Sequence, residues 1–180
     1  MFKQIGFPLM AALALGTHAA PLDVAKSQVK FVFTQMNVPV EGSFKKLTGD
    51  IHFDAAKPEA SKANVSIELS LADAGGPEAN DMLKSSDWFN TPKFPQATFT
   101  SNAFKSLGGG KVQVQGQLSL KGKTALVSIP FTARVEGAGQ WLEGAFPLSR
   151  LAWKVGENEW SDVGTVADTV QVKFKLFVPK

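Results

Sequence analysis

The strongest constraint on this chain is a two-residue alternation of apolar and polar side chains that recurs along most of its length. Val29, Phe31 and Phe33 alternate with Lys30, Val32 and Thr34; Gly49, Ile51 and Phe53 alternate with Asp50, His52 and Asp54. The same period runs through 65–71, 97–101, 112–120, 127–135, 142–149 and 170–178. A period of two puts alternate side chains on opposite faces of a strand. Strands buried on both faces read instead as continuous apolar runs, so these runs predict antiparallel strands with one face in water. Eight such strands can close into a barrel, which removes the exposed edges of an open sheet. The predicted fold is therefore an all-β, eight-stranded antiparallel barrel, with a two-sheet sandwich as the alternative.

The punctuation fits hairpins. Gly108-Gly109-Gly110, Gly122-Lys123 and Gly137-Ala138-Gly139 fall between runs, where tight turns are needed. One connection is different. Gly75-Gly76-Pro77 ends the third run, and Pro77 suits the first position of a helix that Glu78 to Lys84 can continue. Met82, Leu83, Trp88, Phe89 and Phe94 follow and need burial, which a lid over one end of the barrel provides. This predicts one short helix between the third and fourth strands.

The first twenty residues stand apart. Residues 1–20 carry Lys3, an apolar stretch from Ile5 to Leu15, and small residues to Ala20. This is the build of a cleaved secretory signal peptide, with 21–180 as one exported domain. The apolar stretch is shorter than the ~20 residues of a bilayer-spanning helix. The expected compartment is the periplasm.

Composition removes much chemistry. The chain has no cysteine, which excludes disulfides, thiol nucleophiles and thiolate metal sites. Of its two histidines, His18 lies in the leader and His52 shares outward parity with Asp50 and Asp54. A serine-histidine-acid triad needs a histidine in a cleft, so no catalytic set is expected and the chain reads as a non-enzyme. A formal net charge of +3 without a clustered basic face argues against nucleic acid. No metal or cofactor is expected. What remains is an inward face rich in phenylalanine: 14 Phe, 4 Trp and no Tyr. Arg150 joins it, because counting by twos from Leu142 puts it beside Phe146 and Leu148. An inward charge needs a partner, either within the fold or on a ligand.

Several segments resemble the YceI-like family. They are GSF at Gly42–Phe44, GDIHFD at Gly49–Asp54 and DWFNTPKFPQATF at Asp87–Phe99, followed by GQLSLKG at Gly116–Gly122 and FPLSR at Phe146–Arg150. The last is VGENEWSDVGTVADTVQVKFKL at Val155–Leu176. The resemblance implies a lipocalin-like periplasmic barrel holding a polyisoprenoid or other long-chain lipid, an isoprenoid quinone included, with transient membrane contact during loading. It departs from one family pattern, Arg-Asp-x-His-Leu, where this chain has Ala79-Asn80-Asp81-Met82-Leu83 and keeps only the leucine. A head-group role for that arginine and histidine is therefore not carried over.

The expected ligand wall comprises Phe31, Phe33, Ile51, Phe53, Phe99, Phe146 and Phe174. Trp88, Phe89, Trp153 and Trp160 are expected nearer the mouth, with Arg150 as a head-group contact. Two rival readings use the same residues. One is a structural or partner-binding barrel with a filled core; the other is an enzyme acting on an isoprenoid or quinone.

Overall fold

The computed structural model describes residues 20–180, so the leader expected over 1–20 lies outside the described residues except for Ala20. The described chain is mostly β. One antiparallel sheet holds eleven hydrogen-bonded segments. In chain order they are β1 (Ala20–Pro21), β2 (Asp23–Gln35), β3 (Val38–Phe44), β4 (Leu47–His52), β5 (Lys62–Glu68) and β6 (Ala72–Asp73), then β7 (Gln96–Gly108), β8 (Lys111–Leu120), β9 (Lys123–Glu136), β10 (Gly139–Ser149) and β11 (Thr169–Pro179). The helix α1 spans Pro77–Lys84, with Pro77 at its start as its fixed φ favours.

The spatial order is β1-β4-β5-β7-β8-β9-β10-β11-β2-β3-β6. The sheet curls into a barrel-like half-barrel. Its outermost segments are short continuations of longer strands: β1 leads through Leu22 into β2, and β5 leads through a 3-10 turn at Leu69–Leu71 into β6.

The count of eight strands is therefore corrected. Val38–Phe44 is a full strand paired with β2 from Gln35↔Val38 to Val29↔Phe44, but Pro39 and Gly42 obscure its alternation. The run predicted over 65–71 breaks where the backbone tightens at Leu69, leaving Leu71 46% exposed against its predicted inward parity. The three glycine turns do connect β7 to β8, β8 to β9 and β9 to β10.

Strand parity holds over most of the sheet, so one face supplies the interior. At the end bearing α1, the near end, Leu69, Leu83, Trp88, Phe89, Leu120, Val155 and Val166 form one buried cluster. A second cluster fills the far end around Phe53, Phe104, Phe131 and Leu142.

Candidate functional site

Between these clusters lies a cavity of about 360 Å³, near the lower end of the ~300–1,000 Å³ usual for small-molecule pockets. Its wall draws on β2 to β5, β7 to β11, α1 and the segments after α1 and β10. Among the described lining residues, and leaving indoles aside, only Gln35 and Arg150 have polar side chains. An interior of this kind favours a hydrocarbon over any hydrated group, whose desolvation would go uncompensated.

The interior is hollow partly because its phenylalanines lie against the wall. Phe31 pairs across strands with Gly42, and Phe174 with Gly144. Phe99 reaches over Gly116 on β8. A Cβ at any of the three glycines would come under 3.0 Å from the facing ring. The missing side chains let the rings lie flat across the neighbouring strand, as aromatics do over strand glycines.

The opening is at the near end. Gln35 at the end of β2 and Met82 on α1 both line the cavity and are exposed, Met82 to 38%. Ala74, Ala79 and Trp160 lie beside them in the lining. The far end is shut by Phe104 and Phe131, whose rings meet edge to face with centroids 6.2 Å apart.

Two buried cations hold the irregular segments at the near end, the one after α1 and the one between β10 and β11. Arg150 is only 2% exposed, and its five N–H groups all donate to backbone carbonyls. Nε donates to Ala167 at 3.0 Å, Nη1 to Val155 at 3.0 Å and Gly156 at 2.9 Å, and Nη2 to Trp160 at 2.7 Å and to Val166. Burial lowers its pKa and the Asp168 carboxylate offsets part of that shift. Asp168 itself accepts hydrogen bonds from Ser149 Oγ and the Leu151 N–H. Lys121 works similarly from the β8–β9 turn. Its ammonium donates to the carbonyls of Asp87 and Lys154 and to Glu157 Oε2 at 2.9 Å. Together these cations bind the segment after β10 to the segment after α1.

Of the predicted wall, Phe31, Phe33, Ile51, Trp88, Phe89, Phe99, Phe146, Arg150, Trp160 and Phe174 line the cavity. Phe53 and Trp153 do not. Phe53 stands behind Phe104 and Phe131, and Trp153 is buried outside the wall with the Lys123 ammonium over its ring. Arg150, expected as a head-group contact, does line the cavity, and each of its five N–H groups donates to a carbonyl of the segment 155–167.

Phe104 and Phe131 are lining residues outside the predicted set. At Phe104 the reason is a β-bulge: the β7–β8 register slips between Ser101 and Ala103, so Phe104 turns inward where strict alternation points it out. Phe131 has the inward parity that alternation along 127–135 predicts, and it is buried at the cavity floor. No cluster of three or more metal-ligating side chains occurs among the described residues.

Comparison with known proteins agrees with the segment resemblance. Residues 21–178 match the YceI-like domain family. A UPF0312 protein of Shewanella baltica is 34% identical over 140 residues, covering 76% of this chain and 73% of the relative. The crystal structure of BcnA from Burkholderia cenocepacia superposes with a TM-score of 0.85 at 43% identity, over 87% of this chain and 99% of that one. A polyisoprenoid binding domain from Saccharophagus degradans, implicated in plant cell wall breakdown, shares the fold at a TM-score of 0.70 and 21% identity, over 90% and 98% of the two chains.

Proposed function

The chain belongs to the YceI-like domain family, and from that premise we propose that it is a non-enzymatic container for a polyisoprenoid or similar long-chain amphiphile. It would carry or sequester that ligand in the periplasm after removal of the leader. The observation that carries this reading is the apolar cavity itself, with an opening at one end and no free charged donor in its described wall. The polyisoprenoid-binding description of the Saccharophagus domain lends support from a relative of the same fold.

The energetics are adequate. Burying a methylene is worth ~0.8 kcal/mol, so one isoprene unit offers about 3–4 kcal/mol before the cost of ordering the chain. A few units give useful affinity without an ionic anchor. Polar contacts at the mouth would then govern orientation and head-group choice.

Native mass spectrometry after detergent-free purification from a bacterial periplasm tests the reading. The expected result is a protein that begins near Ala20 or Pro21 and carries an extractable isoprenoid, or takes up farnesol when offered. Protein that is empty and stays empty in farnesol would sink it.

A further inference from the structure

The cavity is blind, and its closed end is built differently from its mouth. Phe104 on β7 and Phe131 on β9 form the inner surface of that end, with Phe53 packed behind both at centroid distances of 6.0 and 5.4 Å. All three are buried. Phe53 is fixed from outside, since Gln140 Nε2 on β10 donates to its carbonyl at 2.7 Å. The next residue is tied as well: the Asp54 N–H donates to the hydroxyl of buried Ser61 at 3.1 Å. Phe131 meets both other rings edge to face, and buried rings packed in this way present a surface that yields little.

From this geometry we infer that the Phe53–Phe104–Phe131 cluster is a floor that measures ligand chain length. The inference rests on the container reading and specifies its ligand: a single-chain prenol that enters tail-first, with its hydroxyl end left beside Gln35 and Met82. Each added isoprene unit buries more hydrocarbon until the terminal methyls reach Phe104 and Phe131. A longer chain must then leave part of itself in water or displace a packed ring, which is costly. Chain length is thus selected by the floor and head group by the mouth.

The test is a competition series of prenols, from geraniol through farnesol and geranylgeraniol to longer homologues, read by native mass spectrometry. For the wild type, retention should rise with length and then stop rising at a cutoff. Phe131→Ala removes a ring comparable in bulk to an isoprene unit, so it should move the cutoff longer by about one unit. Phe131→Leu, which keeps more of the packing, should move it the same way by less. Ala63→Leu adds bulk to the wall on β5 and should move it shorter. Leu126→Ala, on β9 but 56% exposed and outside the lining, should leave it in place. A cutoff that ignores the floor variants, or follows Leu126→Ala equally, overturns the ruler. So does a wild type that retains every length without a cutoff, although the container reading then stands. A wild type that retains no prenol removes both.

Discussion

At the residue scale, Arg150 shows how a side chain facing an apolar cavity can serve the wall and not the contents. Its fork of five donors matches five carbonyls drawn from the segment 155–167, a geometry a lysine cannot reproduce. Arg150→Met would leave those carbonyls without donors inside the fold. The expected loss is on the order of 3–5 kcal/mol, measured by urea unfolding. Arg150→Lys should recover only a minor part. Near-wild-type stability in Arg150→Met, with ligand retention abolished, would instead return the residue to a head-group role. Counting by twos from Leu142 was enough to place this side chain inward. Its partners could not be read, because they are backbone groups of a segment whose path over the near end follows no period.

At the element scale, α1 is tethered through Asp73. Its carboxylate accepts hydrogen bonds from the Gly75 N–H at 3.0 Å and Asn80 Nδ2 at 3.3 Å, and pairs with the Lys45 ammonium at 2.9 Å. These contacts, led by the Gly75 N–H, hold its pKa down to about 2. Because folding lowers this pKa, the contribution is complete above the unfolded value and fades as pH falls toward the folded one. The stability difference between wild type and Asp73→Asn should therefore be constant above about pH 5 and shrink between about pH 4 and pH 2. A difference independent of pH through that range would show that the tether does not depend on ionisation.

The helix itself was legible from Gly75-Gly76-Pro77 and the residues after it. So were the inward phenylalanines of β2, β10 and β11, because alternation survives wherever the register is regular. It failed at the β7 bulge and at the turn after β5. There the backbone adds or tightens a residue without any change in hydropathy, and parity cannot be carried across.

At the scale of the whole molecule, a sheet without disulfides is held by ladder hydrogen bonds and by two apolar clusters on either side of the central cavity. A ligand that fills the centre should stabilise the native state by mass action. At about one hundred times its Kd the gain is ~2.7 kcal/mol, which for a domain of this size raises Tm by roughly 5–10 °C. Thermal unfolding followed by circular dichroism, with and without a prenol retained in native mass spectra, checks this. An unchanged Tm under saturating ligand would mean that the native state binds the prenol no better than the unfolded chain does, which overturns the container reading. Gly42, Gly116 and Gly144 add a different kind of control over that interior. Its bore is set by methyl groups that the wall lacks. At each of the three an added Cβ would also meet a neighbouring backbone oxygen at 2.4–2.7 Å, so a Gly→Ala exchange would have to displace the strand ladder as well as the ring. The width of the interior is thus tied to the spacing of the strands around it, and neither can change at these positions without the other.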